Sequence, residues 1–239
     1  MYPMGYMYFM PANHNAEIEK FNALAADWWN PQGSMAPLHW MNPARLDFIA
    51  GHLPRRGLKG LDIGCGAGLL TEPLARMGHT MTGVDGAADA IAVAKARAAT
   101  EGLAVDYRVG EVGRDALGQA YDFVTALEII EHVDDAGVFL DSALAALKPG
   151  GMIFLSTLNR TLKSRVLGIY AAEYVLSTLP IGTHDYSKFI KPSELVAMLQ
   201  ARGCTITALN GLVFKPLQKT FVLDAHDLDM NYILAAKKD

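Results

Sequence analysis

The run Leu61-Asp62-Ile63-Gly64-Cys65-Gly66-Ala67-Gly68 is the part of this 239-residue sequence best suited to hold a ligand. Glycines at alternate positions let the backbone approach a bound molecule closely, because no Cβ intervenes. The spacing differs from the G-x-G-x-x-G pattern that seats a pyrophosphate on a helix N-terminus. Asp62, just before the loop, suits a cationic ligand better than a pyrophosphate. Asp85 closes the next apolar run, Thr82-Gly83-Val84-Asp85, where a carboxylate can accept from both hydroxyls of a ribose. A second constellation is Glu128, Glu131 and His132, at i, i+3 and i+4. On a helix these share one face. Two carboxylates and an imidazole then suit a divalent cation, Mg²⁺ where oxygen ligands and water complete the shell. The alternative is a glutamate–histidine pair that only caps or orients its loop. His184, in Gly182-Thr183-His184-Asp185, is either a further base or a structural loop histidine.

These residues need elements to position them. The stretch 15–53 reads as helical, with Asn15 as an N-cap, Glu17 and Glu19 in the first turn, and Phe21, Leu24, Ala25 and Trp28 at helical spacing. Asn42 followed by Pro43 predicts the start of a second helix. From 58 to 157, strands at 58–63, 80–84, 104–109, 121–127 and 152–157 alternate with helices at 69–77, 88–101 and 138–147. That alternation predicts a parallel sheet covered on both faces, hence a doubly wound α/β fold. An amphipathic helix is expected over 160–181, a helix over 192–201, and two closing strands at 204–214 and 231–236.

Composition narrows the class. Hydrophobic residues make up 51% and charged residues 19%, which excludes a disordered chain. The net charge of −4 argues against a general nucleic-acid binder. Two cysteines, Cys65 and Cys204, form no disulfide framework and suit a reducing cytoplasm. No run of apolar residues is long enough to cross a bilayer. Residues 1–14, with methionine and aromatic residues and no basic n-region, read as a disordered tail ahead of one domain over 15–239.

The motif Asp62-x-Gly64-Cys65-Gly66-x-Gly68 followed by Asp85 resembles the cofactor loop of class I S-adenosylmethionine-dependent methyltransferases. Three further segments are similar to the ubiquinone-biosynthesis O-methyltransferase family. They are Trp28-Trp29-Asn30 with Asn42-Pro43-x-Arg45, Glu128-Ile129-Ile130-Glu131-His132-Val133, and Ser156-Thr157-Leu158-Asn159-Arg160 with Gly182-Thr183-His184-Asp185. The resemblance implies a Rossmann-like sheet of seven strands with the last antiparallel. It implies S-adenosylmethionine held by Arg45, Asp62, Gly64, Gly66, Gly68, Asp85 and Leu127, with adenine near Glu111 and Val112. It implies methylation of a polyprenyl catechol or demethylubiquinol, and adds Mg²⁺ at Glu128, Glu131 and His132. Gly86 and residues 110–116 depart from the family pattern, which weakens the adenine pocket rather than the reaction.

A phenol ionises near pH 10, so transfer at neutral pH needs a base or a Lewis acid. Glu128, His132 and His184 are the candidate catalytic groups, and a catechol bound through both oxygens to a metal would ionise more readily. Between Asn159 and Lys191, five basic residues (Arg160, Lys163, Arg165, Lys188, Lys191) stand against Glu173 and Asp185. With the apolar residues between them, they predict a lid over 158–191 that also touches anionic lipid, and so a peripheral protein on the inner face of the membrane. Other enzymes of ubiquinone synthesis are candidate partners. Two other readings stand beside this one: an O-methyltransferase of a soluble phenol, and a non-catalytic cofactor-binding subunit of a quinone-synthesis complex. An NAD-dependent oxidoreductase is more distant.

Overall fold

In the computed structural model, the residues described are 18–19, 21–112, 117–118, 120–164 and 186–239. The predicted cap of the first helix at Asn15, most of the lid (165–185) and His184 lie outside them. Among the described residues a single mixed sheet is flanked by helices. Its strands are β1 (Lys59–Ile63), β2 (Thr80–Asp85), β3 (Val105–Val109), β4 (Tyr121–Leu127), β5 (Leu147–Leu158), β6 (Cys204–Lys215), β7 (Thr220–Asp224) and β8 (Asn231–Lys238). Their order across the sheet is β3-β2-β1-β4-β5-β8-β6-β7. β1 to β5 pair in parallel, while β8 runs antiparallel to both β5 and β6. Sequence order reverses between β1 and β4, so a crevice opens beyond the carboxyl ends of those strands, where ligands of open α/β sheets bind.

The sheet therefore has eight strands where seven were expected. The addition is β7, which pairs only with the outer part of β6, from Gly211–Asp224 to Lys215–Thr220. Lys219 in the turn adopts a left-handed φ of 47°, and the short apolar run behind it folds back as a hairpin.

The main helices are α1 (Ala36–His52), α2 (Thr71–Arg76), α3 (Ala88–Thr100), α4 (Ala136–Ala146) and α5 (Pro192–Gln200). The predicted start at Asn42 and Pro43 is wrong. α1 begins at Ala36 with Pro37 in its first turn, and Pro43 lies inside the helix. Asn42 is no cap: it is buried and its amide donates to the Leu69 carbonyl at 2.7 Å, tying α1 to the end of the glycine loop. α1 has no side-chain cap, whereas α4 has one in Asp135, whose carboxylate accepts from the Gly137 and Val138 amides at 2.7 and 3.0 Å. Ala90, Ile91, Ala94 and Ala98 bury one face of the alanine-rich α3. The core lies on both faces of the central strands, and Leu61, Phe123, Val124, Ile153, Phe154 and Leu155 are all fully buried.

Candidate functional site

A cavity of about 350 Å³ opens at the crevice. Its wall includes Arg45, Asp62, Gly64, Asp85, Glu111, Val112 and Leu127, seven of the nine residues expected to hold a cofactor. Glu128, Glu131 and His132 line it too, and Phe21, Leu24, Trp28, Leu38, Met41 and Phe139 give much of the rest an apolar character.

Gly66 and Gly68 are not on this wall. Both have left-handed φ, 51° and 88°. A Cβ on Gly66 would run into the Trp28 indole, and one on Gly68 would meet the Tyr107 hydroxyl. Their glycine character therefore serves the turn and the close packing behind it, and only Gly64 of the three faces the cavity. The Gly66 amide donates to Asp85 Oδ2 at 2.8 Å, and Ala87 donates to Asp85 Oδ1 at 2.8 Å. Asp85 thus ties the glycine loop to the start of α3 and still presents its carboxylate to the cavity. Burial raises its pKa from the ordinary carboxylate value.

Asp62 is fully enclosed. Thr71 and Thr125 donate their hydroxyls to its two oxygens at 2.5 and 2.7 Å. Burial still dominates and pushes its pKa up to about 6. It holds α2 and β4 to the end of β1 as much as it faces any ligand.

Residues 128–134 form turns rather than a helix, and Glu128 takes a left-handed φ of 55°. The premise of one shared helical face is therefore not met. Glu128 Oε1 accepts from Ser156 Oγ at 2.5 Å and stands 3.1 Å from Arg45 Nη2, while Oε2 accepts from Asn231 Nδ2 at 2.8 Å. Glu131 is buried, accepts from Thr157 at 2.8 Å, and is pushed up to about 7 by burial and then by the Glu128 charge. His132 sets its ring edge-on to Phe21, with centroids 6.1 Å apart. Among the described residues no three His, Cys, Asp or Glu side chains are gathered to hold a metal. As arranged, Glu128, Glu131 and His132 do not fit one ion, because Glu128 is committed to the cation and amide around it.

Arg45 is buried; its Nη2 is taken by the ion pair with Glu128, and its Nε has no hydrogen-bond acceptor. Trp28 Nε1 is likewise buried and unsatisfied. These donors on a largely apolar wall are suited to a ligand carrying a carboxylate or another acceptor. Ser156, Asn231 and Trp28 were not singled out as site residues. Ser156 stood in a noted motif and Trp28 in a noted helical pattern, but Asn231 had no local signal, since only the antiparallel return of β8 brings it to Glu128.

Two of the five basic residues of the expected lipid-contacting segment are paired with acids outside it. Arg160 bonds to Glu194, and Lys163 lies 3.1 Å from Asp229. Arg165 lies outside the described residues. No helix among the described residues is long and apolar enough to cross a membrane.

The chain matches a family model described as a methyltransferase domain over residues 38–209. It is 49% identical over 225 residues to the ubiquinone biosynthesis O-methyltransferase of Idiomarina loihiensis, covering 93% of this chain and 92% of that protein. The enzyme of the same name from Azorhizobium caulinodans is 48% identical over 235 residues, covering 93% and 92%. Among solved structures, the magnesium protoporphyrin IX methyltransferase of Synechocystis PCC 6803 with bound SAH superposes with a TM-score of 0.70 at 18% identity. That match covers 95% of this chain and 100% of the other, and supports the fold alone.

Proposed function

The chain belongs to the ubiquinone biosynthesis O-methyltransferases, and from that premise we propose how its cavity works and what it takes. The protein is an S-adenosylmethionine-dependent O-methyltransferase of ubiquinone biosynthesis. The acceptor class is a polyprenyl catechol or a demethylubiquinol. The observation that carries the reading is the convergence of Asp85, Arg45 and Gly64 on one largely apolar cavity at the reversal of strand order.

In this reading Asp85 holds the ribose, and Arg45, through its unsatisfied Nε, meets the methionine carboxylate. Glu111, Val112 and Leu127 flank the remainder. When bound, the cofactor supplies a methyl group on a sulfonium; a phenolic oxygen takes the methyl and the electrons of the breaking carbon–sulfur bond stay on sulfur. Leu38, Met41 and Phe139 exclude water from the reacting atoms. His132 on the cavity wall takes the phenolic proton, with Glu131 beside it stabilising the resulting imidazolium. Glu128 orients Arg45 rather than acting as base, and His184, the other expected base, lies outside the described residues. No metal step is assigned, because the three expected ligands do not form one set.

We assign residues 15–239 to one methyltransferase domain. The described part of 15–53 caps the cavity, the expected tail over 1–14 and most of 158–191 lie outside the described residues, and on its sequence pattern we assign 158–191 a contact with anionic lipid at the inner face of the membrane. The lipid part rests on sequence pattern, and the pairing of Arg160 and Lys163 leaves it less cationic than the sequence suggested. Flotation with anionic vesicles tests it: unbound protein at every lipid concentration would refute membrane contact. The catalytic part is tested by the pH–rate profile of His132→Asn with a short-chain catechol and by mass spectrometry of the product. The reading expects the new methyl on a phenolic oxygen and loss of the neutral-pH limb in the variant; an unchanged profile removes His132 from the base role.

A further inference from the structure

The β6–β7 hairpin extends past the end of β8 as a two-stranded arm. β8 pairs with β6 only as far as Gly211, opposite Tyr232, and beyond it residues 212–215 pair with β7 alone. β6 runs in the same direction as β1 to β5, so the arm extends about 14 Å beyond Gly211 from the sheet end that bears the cavity. Its inner face rests on α1, where Trp40 stacks on Phe214 at 5.8 Å and Phe214 packs on Phe221 at 5.0 Å. Leu38 and Met41, on either side of Trp40, line the cavity. The arm is thus braced on the helix that walls the site.

The outer end of the arm is apolar and basic. Leu217 at its tip is 95% exposed, and Phe214 and Val222 are each 37% exposed. Lys215 and Lys219 flank the tip, Lys219 lying over the Trp40 ring at 5.7 Å. Neither lysine is in an ion pair among the described residues, and no acid occurs from 211 to 223. An apolar tip between two lysines outside any ion pair of the described residues, in a chain of net charge −4, has the chemistry of an interfacial anchor. Its apolar side chains enter the acyl boundary while the lysines meet anionic headgroups. A second copy of this chain fits less well. Two arms meeting there would oppose the like charges of Lys215 and Lys219.

We propose that the β6–β7 hairpin tip is a docking element for an anionic lipid surface, which would turn the mouth of the cavity toward the bilayer. The proposal rests on the polyprenyl-acceptor reading for its purpose, and on the exposed tip and its lysines for its evidence. It is separate from the 158–191 segment and shares no residue with it.

The test places a probe at the tip. Cys65 and Cys204 are buried, so a Leu217→Cys variant can be labelled there with an environment-sensitive NBD fluorophore. Vesicles of phosphatidylglycerol and phosphatidylethanolamine are expected to shift the emission to the blue, and phosphatidylcholine vesicles to leave it in place. Lys215→Gln with Lys219→Gln should weaken the vesicle-induced shift about thirtyfold in lipid concentration. Methyl transfer to a short soluble catechol should be unchanged in both variants, since none of these side chains reaches the cavity. Protein that floats with vesicles while the probe stays unshifted overturns the proposal and puts the contact elsewhere. An equal shift with phosphatidylcholine, or a shift that grows with protein concentration in the absence of vesicles, also overturns it. Failure of wild-type protein to methylate the soluble catechol would instead strike the functional reading, leaving the probe result intact.

Discussion

Replacing Glu128 by Gln removes a charge from a closely held pair. The Arg45 and Glu128 side chains are only 6% and 18% exposed and stand 3.1 Å apart. Ser156 and Asn231 hold the carboxylate from the other sides. The glutamine keeps one acceptor oxygen but brings an amide donor into a nest of donors and leaves Arg45 without its counter-charge. Breaking a buried pair from one side costs about 3–5 kcal/mol, and the partial exposure of Glu128 puts this case near about 3. For a chain of this length that corresponds to a fall in Tm of about 6–12 °C. Differential scanning calorimetry measures it, alone and in a cycle with Arg45→Met. The double variant should be less destabilised than the sum of the singles by about 1–3 kcal/mol, because removing both charges leaves no orphan. A fall below about 2 °C, or strict additivity, would refute the claim that Glu128 exists to hold Arg45.

Four further outcomes are expected. Asp85→Asn loses the charged acceptor of the Gly66 and Ala87 amides, so titration calorimetry should show cofactor affinity at least about tenfold weaker, from about 1.5–3 kcal/mol. Gly66→Ala should lower Tm and weaken cofactor binding together, and adding Trp28→Ala should recover only part, since the left-handed φ of 51° stays strained. Asp135→Ala should cost about 1 kcal/mol, read by urea denaturation, with activity unaffected. Asp62 is raised to about 6 and Glu131 to about 7, so between pH 4 and 7 the native state binds more protons than the unfolded chain. Stability therefore falls as pH rises across that window, on the order of 3 kcal/mol for Asp62 alone. Urea midpoints at each pH check this, and Asp62→Asn should flatten the lower part of the curve.

The sequence made most of the central scaffold legible because strand–helix alternation is local. The buried strands are apolar runs and glycines mark several of the turns between them, so the parallel order and the cofactor loop followed from pattern. The misplaced helix start had a physical reason: Asn42 and Pro43 look like a cap and a first turn, but tertiary contact with Leu69 satisfies the asparagine inside α1. β7 was overlooked because five residues behind a lysine turn carry little periodicity. In the site, the glycine loop and Asp85 were found by spacing, while Arg45, Leu127, Glu111 and Val112 came only from the family resemblance. The premise for Glu128, Glu131 and His132 failed because helical spacing says nothing when the backbone turns at a left-handed Glu128. The network around Glu128 draws on α1, β5 and β8, and no local window contains those contacts. Gly66 and Gly68 were expected to hold the cofactor, but what approaches them closely in the structure is Trp28 and Tyr107.

The central claim is that this cavity moves a methyl group from S-adenosylmethionine to a phenolic oxygen. The most direct test is transfer of labelled methyl to a short-chain demethylubiquinol with Mg²⁺ supplied, comparing wild type with Asp85→Asn. The account predicts label in the quinol product, scaling with enzyme and strongly reduced in the variant. Wild-type protein that binds the cofactor yet leaves the quinol unlabelled would contradict it.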